Sequence, residues 1–231
     1  MHIIYKYNLN INLSMHKLLF VIIPLLLAPT FAYADFIPYM TWEWDRDPIV
    51  CLNAADSTLP YMNDMVKAIT IWKDKLNQNT GTHNFNYKVY VDKHGSQTHN
   101  GICTLIINTE VPKDLSFPKN AIGYTNCEGT PLNCVITIFD NTPSNYLAQT
   151  IEHEMGHALG IGHRLAFTKC DFIAVVISND VMISQAGKFR FVTPADIGAL
   201  TQEYGHDGFG GSNIVSPPDF VINPKPVNCT L

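Results

Sequence analysis

This chain has no cluster of lysine and arginine. Its 15 basic residues are scattered over 231 positions and outnumbered by 20 acidic ones, for a formal charge of −5. A nucleic-acid partner requires a concentrated basic face, so no nucleic acid is expected to bind. Paired CxxC spacing is also missing, which argues against a thiolate-ligated zinc site. No internal repeat is present, and this excludes a solenoid or propeller. Only 15% of the residues are charged whereas 46% are hydrophobic. That balance excludes a disordered or fibrous protein and fits one globular domain with a substantial core.

The first 34 residues lack any aspartate or glutamate. Lys17 precedes an apolar run over residues 18–28, and Ala32, Tyr33 and Ala34 supply the small residues of a cleavage site. Residues 1–34 therefore read as a leader with a secretory signal peptide, cut before Asp35. Met15 is the expected start, because it gives a leader of ordinary length. The run is too short, and too interrupted by Pro24, to anchor in a bilayer, and no later segment is long enough. A secreted, extracellular product without stable membrane insertion is expected. All six cysteines, Cys51, Cys103, Cys127, Cys134, Cys170 and Cys229, follow the leader, and an even number in an exported chain favours disulfides. Cys127 and Cys134 are close enough to staple a hairpin; the other pairings stay open.

What the chain does contain is His153-Glu154-Met155-Gly156-His157-Ala158-Leu159-Gly160-Ile161-Gly162-His163. Residues four apart on a helix share a face one turn apart, so His153 and His157 can aim at one ion. Gly160 is the residue type that ends a helix in a left-handed conformation, reversing the chain so that His163 can join as third ligand. Three protein ligands leave the fourth zinc position to water, whose pKa falls there to about 7, and Glu154 can take its proton. Gly160 and His163 at fixed offsets lower the chance of coincidence to the order of 10⁻⁵ on ordinary composition.

The extended pattern HExxHxxGxxH resembles that of the metzincin zinc metallopeptidases, and the form HEMGHALGIGH is most similar to the matrixin branch. The resemblance implies an α+β zincin: a twisted, mostly parallel sheet with an antiparallel edge strand, two long helices above the cleft and a C-terminal helix below. Residues 35–231 would be a single metallopeptidase catalytic domain with a Gly/Pro-rich tail from about residue 206. One catalytic Zn2+ would be held by His153, His157 and His163, with Glu154 as the catalytic acid-base group and Met182 in the methionine turn. Ser184 stands where astacin-like enzymes carry a tyrosine ligand, which argues against that branch, and Arg164 departs from the residue usual after the third histidine. The family's structural Ca2+ and second Zn2+ find no support. His83, His94 and His99 do not reproduce its spacing and read as solvated loop histidines, and no oxygen-rich loop surrounds Asp92 or Asp140. Nothing resembles the family's PRCGxPD latency stretch, so the enzyme is expected either to be active once exported or to be restrained by a separate protein inhibitor.

Along the chain, Leu59-Pro60 opens a helix whose Met62, Met65, Val66, Ile69, Trp72 and Leu76 form a buried stripe ending near Gly81. Strands are expected over residues 85–91, 103–108, 121–126 and 135–140. The motif helix starts near Thr142 to Ser144, beside Pro143. A last helix runs from an N-cap at Thr193, with Pro194 at its first position and Asp196 in its first turn, to Gly205, burying Ile197, Leu200 and Tyr204. The strand over 121–126 looks like the family's edge strand. Edge strands accept an extended peptide as one more strand, so substrate binding is expected along Ala121, Ile122, Gly123, Tyr124, Thr125 and Asn126. Ile183 and residues 189–192 suggest that the pocket beside the zinc admits apolar side chains. The reading is a secreted zinc endopeptidase acting on a peptide or protein substrate. The competing reading is an exported zinc-stabilised binding or adhesion domain without turnover.

Overall fold

A computed structural model describes residues 37, 40, 42–93, 102–109, 121–164, 180–183 and 190–210, all within the compact unit Asp35–Leu231. The leader, His94, His99, Cys170, Ser184, Phe189, Cys229 and the tail beyond residue 210 lie outside the described residues. Five strands, β1 (Ile49–Ala54), β2 (Lys88–Lys93), β3 (Leu105–Asn108), β4 (Gly123–Glu128) and β5 (Asn133–Ile138), form one sheet in the order β2-β1-β3-β5-β4. All neighbours are parallel except β4, which runs antiparallel to β5 at one edge. This is an α+β fold with a mostly parallel sheet. Among the described residues, no helix is long and apolar enough to cross a membrane.

The sheet's interior strand β1 has no counterpart among the sequence expectations. Five consecutive residues, Val50 to Ala54, are buried, so both faces are covered and the strand carries no polar alternation. Burial of a side chain such as Leu52 stabilises by about 1.5–3 kcal/mol. Strand β2 starts later than expected: Phe85 and Tyr87 precede it and are buried in the core. Their rings meet that of Phe209, with centroids 5.3 and 6.3 Å away.

A 3₁₀ turn, Asp56–Tyr61, leads into α1 (Met62–Thr80), which buries Met65, Ala68, Ile69, Trp72 and Leu76. Gly81 ends it at φ 69°, as its lack of Cβ allows. Helix α2 (Leu147–Leu159) packs on α1, β4 and β5. Its approach differs from expectation, for a 3₁₀ turn, Ser144–Tyr146, intervenes and no side chain caps the helix. Thr142 instead donates its hydroxyl to the Ile122 carbonyl at 2.6 Å, tying the start of α2 to the head of β4. Helix α3 (Pro194–Tyr204) begins with a capping box between Thr193 and Asp196 and buries Ile197, Leu200 and Tyr204 as the sequence predicts.

Disulfides join Cys51 to Cys103 and Cys127 to Cys134. The second links directly opposed residues of β4 and β5, with Cα atoms 4.1 Å apart. Such closeness marks a pair whose main-chain groups point away from each other. By alternation, the backbone N–H and C=O of Gly123 and Thr125 also face outward, past the sheet's edge, whereas Ile122 directs its carbonyl inward to Phe139 N–H at 3.1 Å.

Candidate metal centre

Helix α2 places His153 and His157 one turn apart, and its ending delivers His163. Gly160 adopts φ 119°, and its N–H donates to the His157 carbonyl at 3.0 Å while Ile161 N–H reaches the Gly156 carbonyl at 3.1 Å. This pair of bonds is the Schellman ending that turns a chain sharply. An α-helix leaves its last carbonyls without intrahelical donors, and here distant residues supply them. Trp42 Nε1 donates to His157 O at 3.1 Å, Trp44 Nε1 to Ala158 O at 2.8 Å, Tyr204 Oη to Leu159 O at 2.7 Å and Met40 N to Gly160 O at 2.6 Å. Gly156 faces Met182, which is fully buried. A Cβ at that position would collide with Met182 Sδ and lie 2.9 Å from Trp72 Cζ2.

The three Nε2 atoms form a near-equilateral triangle, His153–His157 3.1 Å, His153–His163 3.2 Å and His157–His163 3.2 Å. His153 Nδ1 lies 2.6 Å from the Val181 carbonyl and His157 Nδ1 2.8 Å from the Ile161 carbonyl. A carbonyl only accepts, so both Nδ1 atoms carry hydrogen and both Nε2 atoms present lone pairs when the rings are neutral. No proton then lies between the Nε2 atoms of His153 and His157, and a shared cation would resolve their repulsion. Tetrahedral zinc with Zn–N about 2.0–2.1 Å sets its nitrogens about 3.3 Å apart, which the triangle approaches. Burial first, then the neighbouring charges, holds His153 down to about 4 and His157 down to about 3, and burial lowers His163. All three are therefore neutral imidazoles at neutral pH, the form that could hold a metal ion. Among the described residues this trio is the group of His, Cys, Asp or Glu side chains that can hold a metal ion.

Glu154 is buried, and burial pushes its carboxyl up to about 7, against the pull of its hydrogen bond with Thr125. Thr125 Oγ1 donates to Glu154 Oε2 at 2.6 Å. Glu154 Oε1 lies 2.8 Å from where a Gly123 Cβ would stand, so only glycine lets β4 approach the carboxylate so closely. A cavity of ≈ 500 Å³ opens over these groups, lined by the three histidines, Glu154 and residues 121–125. Asn126 belongs to β4 but does not line it.

Other parts of the lining were not foreseen. Tyr146 contributes from the 3₁₀ turn before α2, Gln149 and Thr150 from the start of α2, and Arg190 brings a charge that lowers the His153 pKa. Helical spacing offered a signal for Thr150 and Tyr146, three and seven residues before His153 on its face; for Arg190 there was none. Of the apolar wall expected there, Ile183 lines the cavity, Val192 is buried in the core and Phe191 is 46% exposed outside the lining. His83 is exposed in the loop after α1. Compared with known family models and with curated proteins, the chain matches none.

Proposed function

We propose that this chain is a secreted zinc-dependent endopeptidase of the metzincin type, most like the matrixin branch. The observation that carries the reading is the convergence of three neutral imidazole Nε2 atoms beside the buried Glu154 carboxyl, under a strand whose outer edge no other described strand pairs. Zinc held by the three histidines would polarise a carbonyl and lower the pKa of bound water to about 7.

The chain's own residues would do the rest. Gly123 and Thr125 offer outward main-chain donors and acceptors to an extended peptide, which would add antiparallel or parallel to β4 across the cavity mouth. Thr125 fixes the Glu154 rotamer. With its pKa near neutrality, Glu154 suits both accepting a proton from water and passing one to the leaving amine. Helices α1 and α2 would be the two long helices of such a fold, α3 its C-terminal helix and Met182 its methionine turn. The disulfides suit an oxidising, extracellular setting.

A zinc-stabilised binding domain would close its site with four protein ligands and has no use for a free buried carboxyl. The decisive experiment measures bound zinc and turnover of an unselective peptide library for the parent and for Glu154→Ala. The variant should keep its metal and lose turnover by several orders of magnitude. A parent that binds zinc yet cleaves no peptide supports the binding-domain reading instead.

A further inference from the structure

Arg164 directly follows the third histidine, and neither peptide pairing nor proton transfer uses it. Its Nη1 donates to Asp180 Oδ2 at 2.6 Å, with the Arg164 side chain 13% exposed and that of Asp180 fully buried. A backbone bond runs beside this ion pair, from Arg164 N–H to the Met182 carbonyl at 2.9 Å. Asp180 Oδ1 in turn accepts from Met182 N–H at 2.8 Å. Two links thus hold the chain just past His163 against the turn at residues 180–183. The same turn presents the Val181 carbonyl to His153 Nδ1. The first and third histidines therefore lean on one short turn, one directly and the other through Arg164. Helix α3 steadies that turn from behind, since Thr193 Oγ1 lies 2.9 Å from both Asp180 Oδ2 and Asp196 Oδ2.

We infer that Arg164 is a positioning residue, whose ion pair with Asp180 sets where His163 stands relative to His153 and so governs metal affinity. This rests on the reading of the three histidines as metal ligands. His153 and His157 are fixed by the hydrogen-bond ladder of α2, whereas His163 lies beyond Gly160 in a segment without regular structure. Its placement must come from tertiary links, and the ion pair and the backbone bond to Met182 are two that hold the residue next to it. Removing Arg164 takes this cation from the fully buried Asp180 carboxylate, and the cheapest response is for the turn to move toward water. That motion would carry Val181 away from His153 and Arg164 away from Met182, spreading the ligand triangle.

A merely structural ion pair would lower thermal stability and leave the affinity of the folded fraction intact. The test uses the full chain and measures Zn2+ affinity by competition with a chromophoric chelator, together with the Co2+ ligand-field spectrum. Arg164→Ala should weaken zinc binding about 10–100-fold and alter the Co2+ bands. Asp180→Asn should do the same, and the double variant should be no worse than the weaker single, because both act through one pair. Arg164→Lys, which keeps the charge, should recover most of the affinity and keeps the comparison available should Arg164→Ala not fold. Folded variants with parental affinity and spectrum, or losses that add in the double variant, overturn the inference. A parent that binds neither Zn2+ nor Co2+ overturns the ligand reading itself, and the inference with it.

Discussion

Raising the pH from 7 to 8.5 should destabilise this protein through Glu203. The residue lies on α3, 3% exposed, and its Oε2 has no hydrogen-bond partner. Burial, then the charge of Glu43, pushes its carboxyl up to about 9. Three elements face it. Glu43 comes from the N-terminal segment, Tyr204 is its neighbour on α3 with a hydroxyl raised by burial and by Glu203, and Gly160 ends α2. A Cβ on Gly160 would lie 2.6 Å from Glu203 Oε1. An unfolded glutamate titrates near 4.3, so across the interval up to about 9 the folded chain holds one proton that the unfolded chain has released. A raised folded pKa means that the stability is whole below the unfolded value and is lost as pH climbs to the folded one. The slope is about 1.4 kcal/mol per pH unit. For a chain of this size that is a fall in Tm of roughly 3–6 °C per pH unit. Asp196, raised to about 8 by burial and by Asp180, adds to the slope in the same direction. Thermal unfolding followed by circular dichroism at pH 7.0, 7.75 and 8.5, with one equivalent of zinc, measures it. Glu203→Gln keeps the shape and removes the proton, so its advantage over the parent should widen by about 1.4 kcal/mol for each pH unit. A parental Tm that is flat or rising over this range, or a slope kept whole in the variant, refutes the reasoning.

Two further outcomes follow from packing and topology. Gly156→Ala gains about 1 kcal/mol of helix propensity but drives a methyl into Met182 and Trp72, an overpacking that costs about 1–3 kcal/mol. It should lower the urea midpoint, and a higher midpoint would mean that Met182 is not wedged beneath α2. Opening Cys51–Cys103, which spans 52 residues, should cost more than opening Cys127–Cys134, which spans 7. The loop-entropy difference is about 4 against about 2.5 kcal/mol. Paired cysteine-to-alanine variants in denaturant titrations would reveal a reversed order.

Elements with a one-sided face were legible from sequence, and those buried all round were not. Helices α1 and α3 announced themselves because each keeps one polar face and ends in a glycine. Strand β1 did not, since an interior parallel strand has no alternation to read. Phe85 and Tyr87 show the converse error. Their period of two came from an irregular segment pressing both rings against Phe209, and it mimicked a half-buried strand.

The trio that could hold a metal ion was legible because helix geometry alone brings His153 and His157 together and one glycine returns His163. What holds them is written at long range. Donors to the final carbonyls of α2 come from Trp42, Trp44 and Tyr204, at separations of 115, 114 and 45 residues, and local spacing carries no trace of such pairings. Each of these bonds fills a carbonyl that any helix end leaves open, so the requirement can be foreseen even though the donor cannot. The same holds for Glu154. A carboxyl buried by β4 needs a donor, and Thr125 supplies it only because the antiparallel register points residues 123, 125 and 127 toward α2. A shift of that register by one residue would put Tyr124 where Thr125 stands and leave the carboxyl without this hydroxyl. The Cys127–Cys134 bridge joins that same pair of strands and opposes the slip, which makes the hairpin staple part of how the acidic group is held.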